Sequence, residues 1–267
     1  MSENQWVRLL IELQFRDMDT SLFHGNTTQE ENAFQNLLCA MFNRPYCILD
    51  ATELNIMTQM ADYYCALPTL SISVSATFFN SPGLTKTLRK DPCRSLISAY
   101  KLRHALLFRD CLIHVLGPWS KPQFQELKSH RDPSSLILFN FVDTIHISFS
   151  NKITQLQQSI FQLSTNYHPA FGLGHREAYR AAAKNMLDCT IDSVDVNRNL
   201  LLPKWFRTCL DRNLGHEVVR KLLAPFTTNN LVLDKTAVAG IGGDEDSFLC
   251  FEISDAGLPW DPTQFDW

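Results

Sequence analysis

The amino-acid sequence predicts a mainly α protein, and three observations carry that expectation. Apolar residues recur at three- and four-residue spacing through successive segments. Several of those segments open on a residue able to cap a helix and close on glycine or proline. An apolar fraction of 45% with only 10 glycines in 267 residues suits a packed core rather than a linker or a disordered chain.

The elements follow in chain order. Residues 29–42, QEENAFQNLLCAMF, begin with acids suited to a positive helix N-terminus and place Phe34, Leu37, Leu38, Met41 and Phe42 at helical spacing. Residues 50–83 open on Asp50 as a cap, break near CALP and end at NSPG, which reads as a helix, a short turn and a second helix. Residues 91–119 repeat that plan: Asp91 caps, Pro92 sits at the first helical position, and Gly117-Pro118 stops the chain. An offset of about 38 residues lays Ala61 over Ala99, Tyr64 over Leu102, Leu70 over Phe108 and Val74 over Leu112, the pattern of two stacked helix pairs.

The stretch AYKLRHALLFRDCLIHVLGPW, 99–119, combines an apolar stripe (Leu106, Leu107, Cys111, Leu112, Val115, Leu116) with several charged residues and histidines. Arg109 and Asp110 fall mainly outside the stripe, so the polar residues read as a solvated rim, with Leu112 in the core. Further on, residues 134–167 form a long bundle helix, or two in tandem, with Ile153, Leu156, Ile160 and Leu163 on one face. Three more helices are expected at 176–188, 203–213 and 216–225. The end changes character. GIGGDED is an acidic loop, SFLCFEI at 247–253 a short strand, and LPWDPTQFDW an aromatic tail. Apolar side chains on both faces of the strand, with Trp260 and Trp267 behind it, predict a tail folded back on the helical body, Trp260 in a pocket. A mobile tail offering Trp260 and Trp267 to a partner is the alternative.

Composition bounds function. With 24 Lys+Arg against 28 Asp+Glu the net charge is -4, and no basic stripe exists, so direct nucleic-acid binding is disfavoured. The N-terminus lacks the layout of a secretory signal, no stretch is long and apolar enough for a membrane span, and eight scattered cysteines suit reduced core thiols, which together predict an intracellular protein. No C-x-x-C, H-E-x-x-H or G-x-S-x-G pattern occurs. GLGH at 172–175 and GIGGD at 240–244 lack the remainder of a dinucleotide or phosphate loop. No catalytic residue, cofactor or metal is assigned on these grounds, and the histidines are expected on the rim.

TQMADYYCALPTLS resembles the carboxyl-side helices of BTB (POZ) domains, and SAYKLRHALLFRDCLIHVLGPW followed by FLCFEISDAGLPWD resembles a group of BTB-domain proteins of filamentous fungi. The likeness covers roughly residues 33–124 and 247–267; residues 1–30 carry no match to the strand, helix and hairpin that begin a BTB fold. The resemblance implies BTB-like helix pairs at 1–125, continued by a helical region at 126–267 with a short β segment and the aromatic tail. It also implies a non-catalytic adaptor in transcriptional or cullin ubiquitin-ligase complexes, in the nucleus or cytoplasm, with protein partners and an oligomeric state left open. A regulator touching DNA directly, or an enzyme whose site is built from dispersed residues, are the alternatives.

Overall fold

A computed structural model describes residues 25–165 apart from 79, 120 and 121, then 200–212, 217–239 apart from 236, 248–254 and 257–261, with isolated positions at 184, 188, 189 and 193. The described residues are mainly helical. In order they form α1 (Thr27–Met41), α2 (Ala51–Tyr63), α3 (Leu67–Phe78), α4 (Pro82–Leu88), α5 (Pro92–Lys101), α6 (Ala105–Leu116), a 3-10 helix (Gln123–Ser129), α7 (Ser134–Thr165), α8 (Leu202–Arg212) and α9 (Glu217–Thr227).

The caps expected at Asp50 and Asp91 form: their side chains accept from the backbone N–H groups of Glu53 (2.9 Å) and Arg94 (3.2 Å). Glu53 is buried and its carboxylate is fully engaged, accepting from Leu49 N–H at 2.6 Å and from Asn36 Nδ2 at 2.8 Å, which ties α1 to the start of α2.

The repeat has a hydrogen-bond basis. α2 ends with Cys65 at φ 56° and α5 with Arg103, 38 residues later, at φ 47°. Each lies at the left-handed position of a Schellman turn, with Cys65 N–H donating to Asp62 O and Ala66 N–H to Ala61 O, matched by Arg103 to Tyr100 and His104 to Ala99. α1 closes in the same way through Asn43, φ 51°. The superposed residues are all core: Ala61, Ala99, Leu70, Phe108, Val74 and Leu112 are buried. A side chain in the left-handed region costs on the order of 1 kcal/mol, and asparagine bears it more easily than the other two.

Several expectations shift. α1 buries Ala33, Leu37 and Ala40, and at its C-terminal end leaves Met41 46% and Phe42 70% exposed. α4 and the 3-10 helix carry no strong periodic pattern and were not expected. The long helix is one element, with Ile153 and Leu156 buried. The helices expected at 203–213 and 216–225 form as α8 and α9, whereas most of 176–188, GLGH and GIGGDED lie outside the described residues. Residues 248–254 form no strand; among the described residues their backbone bonds go to Gly117 O, after α6, and Phe226 O, in α9. One connected cluster of buried side chains runs from Ala33 to Leu258.

Candidate functional site

The tail residues named from the sequence are the natural start. Trp260 docks: its ring lies 5.0 Å from that of Phe108 on α6, edge to face, and 6.1 Å from Tyr100 on α5. Trp267 lies outside the described residues. Ahead of Trp260, Phe248, Leu249, Cys250, Phe251 and Leu258 are all buried. The backbone is anchored at two points, Leu249 N–H donating to Gly117 O (2.9 Å) and Cys250 N–H to Phe226 O (2.9 Å). Gly117 is right-handed at φ −63°, so it is not there for a left-handed turn. Its role is close approach: a Cβ at 117 would stand 2.7 Å from Leu249 O and 2.9 Å from Phe248 Cβ.

The solvated rim of α6 does not exist as expected. Asp110 is buried and accepts from the backbone N–H groups of Val232 (3.0 Å) and Leu233 (2.7 Å), holding the segment after α9 against α6. His104 caps α6, its Nδ1 accepting from Leu107 N–H at 3.2 Å while Nε2 meets Ser75 Oγ at 2.8 Å. His114 is buried edge-on to Phe248, 5.8 Å between ring centres. Arg109 is half-buried, and Leu106, placed in the stripe, is 36% exposed. The periodic pattern recognised the apolar stripe but carried no sign of the segments that cover α6 from its other sides.

These positions shape the pH response. Burial lowers both histidines to about 4, with the positive charge of Arg89 adding to the effect at His114. Burial raises Asp110 to about 6, against the lowering pull of the Val232 and Leu233 N–H groups. Between pH 6.5 and 4 the unfolded chain therefore binds protons at two histidines that the folded chain leaves neutral, so stability falls with pH, by about 3 kcal/mol per histidine. Asp110 acts oppositely, since its burial penalty is relieved as pH drops through 6, returning about 3 kcal/mol. These three groups together account for a net loss of about 3 kcal/mol between pH 7 and pH 4. Denaturant titrations at the two pH values check it, and a stability that is flat or rising on acidification would refute the neutral buried histidines.

The expected core thiols divide. Cys93, Cys111, Cys189, Cys209 and Cys250 are buried, but Cys47 and Cys65 are exposed and Cys39 is half-buried. Burial raises the Cys93 thiol to about 12 and Cys250 to about 11, which keeps both protonated and unreactive. Among the described residues no three His, Cys, Asp or Glu side chains converge on a metal-sized site. No helix there is long and apolar enough to cross a membrane. The described surface does carry an aromatic group that sequence reasoning passed over. Tyr63, 78% exposed, meets Tyr64 at 5.0 Å, and Tyr64 meets Phe34 of α1 at 6.0 Å, beside the left-handed Cys65. The doubled tyrosine at the end of α2 was its signal. Comparison with protein-family models, with curated proteins and with solved structures found no match to this chain.

Proposed function

We propose that the chain is a non-catalytic protein-interaction adaptor, built on BTB-like helix pairs and acting inside the cell, in the nucleus or cytoplasm, within a transcriptional or cullin ubiquitin-ligase assembly. The observation that carries this reading is the aromatic group of Tyr63, Tyr64 and Phe34, displayed on the α1–α2 pair. Tyrosine gives an interface large contact area at low cost in side-chain entropy and keeps a polar end for water. Because Trp260 packs on α5 and α6, the partner surface is assigned to the helical body, and the partner is a protein presenting an apolar side chain to Tyr63.

The test is proximity labelling in the source cell with the wild-type chain and with Tyr63→Asp, whose side chain is too exposed to disturb the fold. The expected result is a set of protein neighbours that the variant loses at least about tenfold, since a central interface aromatic contributes about 2 kcal/mol or more. Neighbours labelled equally by both chains would move the site elsewhere, and labelling at background for both would refute the adaptor reading.

A further inference from the structure

A cleft of about 580 Å³ opens between α2, α5 and the turn that precedes α7. That is the size of a small-molecule site, and its chemistry is distinct from the aromatic surface above. The floor is Asn55 and Ser98, both buried, with the Ser98 hydroxyl donating to Asn55 Oδ1. Asn55 is 4% exposed, and its Nδ2 has no partner among the described residues, so both of its N–H donors are left for whatever occupies the cleft.

On the walls the carboxylates are spent, whereas several donors are not. Asp132 is committed: one oxygen takes the Ser134 N–H and hydroxyl at the start of α7, and the other meets Lys101 Nζ at 2.7 Å. Lys101 is shared with Asp62, also at 2.7 Å. Asp91 is used on the cap of α5 and on Arg94 Nε at 3.2 Å, which leaves the terminal nitrogens of Arg94 for the cleft. Arg131 and Gln59, which also line the cleft, have no side-chain partner among the described residues. The carboxylates are thus turned to internal work, while an arginine fork, a second guanidinium and two amides face an empty volume. Guanidinium groups pair in a two-bond fork with carboxylate and phosphate.

We propose that this cleft binds a small ligand through an anionic head group, a carboxylate or a phosphate, held by Arg131, Arg94 and the Asn55 amide. The head group sits on Asn55 at the floor, and the two arginines close over it from α5 and the pre-α7 turn. The remaining volume takes the body of the ligand against Ile97 and Pro133.

The test is isothermal titration calorimetry of the full chain with inorganic phosphate and, separately, with citrate, with glycerol as the uncharged control. Saturable one-to-one binding of at least one anion, and none of glycerol, is expected. Arg131→Ala, at an exposed position that cannot unfold the chain, should weaken it at least about tenfold, and Asn55→Asp, which sets a carboxylate where the donor was, should abolish it. Phosphate alone would assign a phosphorylated ligand, citrate alone a carboxylated one, and both together a site that reads charge. Absence of saturable binding of either anion, or binding that Arg131→Ala leaves unchanged, would overturn the proposal. Should Asn55→Asp fail to fold, the Arg131 variant decides alone.

Discussion

Phe108→Ala should destabilise the protein by about 3–5 kcal/mol, the cost of emptying a large buried aromatic site. Phe108 is fully buried, one of the largest side chains in the core, and its ring stands between Phe141 of α7 (6.0 Å) and Trp260 (5.0 Å). Loss of the ring removes apolar burial and two aromatic contacts together, and the surrounding elements are anchored separately, so the cavity cannot close easily. Denaturant melts of the variant and the wild type measure the difference. A cost below about 1 kcal/mol would mean that Trp260 and α7 do not meet at α6 as described.

Asp110→Ala should cost about 2–6 kcal/mol at most, because it strands two half-buried backbone donors, Val232 and Leu233 N–H, each worth about 1–3 kcal/mol if left wholly unsatisfied. Removing a carboxylate whose burial is itself unfavourable offsets part of that, which places the expectation in the lower half of the range. The effect should also be local. Hydrogen exchange at the amides of Val232 and Leu233 should accelerate before exchange in α2 and α3 changes. Asp110→Asn keeps one acceptor oxygen and should fall between the variant and the wild type. Equal exchange at 232 and 233 in all three chains would show that Asp110 does not hold that segment.

Much of the helical half was legible because local signals and tertiary needs agree there. Asp50, Asp91 and Pro92 act at the backbone of their own first turns, and Ala61, Ala99, Leu70, Phe108, Val74 and Leu112 are core residues whose spacing is itself the helical period. The polar residues of α6 were misplaced for the converse reason. Asp110, His104 and His114 are buried by segments distant in sequence, Asp110 by N–H groups 122 and 123 residues away, and no periodicity within α6 encodes those. Likewise Gly117 reads as a helix stop, while its larger role, admitting the backbone of Leu249, depends on a partner far down the chain. Residues 248–251 have the composition of a strand, but the described residues offer no neighbouring strand, and the N–H groups of Leu249 and Cys250 find Gly117 O and Phe226 O instead. The cleft was illegible because its donors come from three separated segments, each of which alone looks like ordinary helix surface.

The most direct test of this arrangement, in which the C-terminal segment completes the core around α6 and the helical body is proposed to carry the partner surface, is the thermal melt of a chain lacking residues 247–267. The melt is followed with an apolar-surface dye and paired with partner capture. Phe248, Leu249, Cys250, Phe251 and Leu258 are buried in the intact chain, so the truncated one should melt about 10 °C lower or more, at about 2–4 °C for each kcal/mol lost, and should bind dye before it melts. An unchanged melt without dye binding, together with loss of the partner, would contradict it: the tail would then be a recognition peptide, and Trp260 and Trp267 would take the place of Tyr63 as the binding residues.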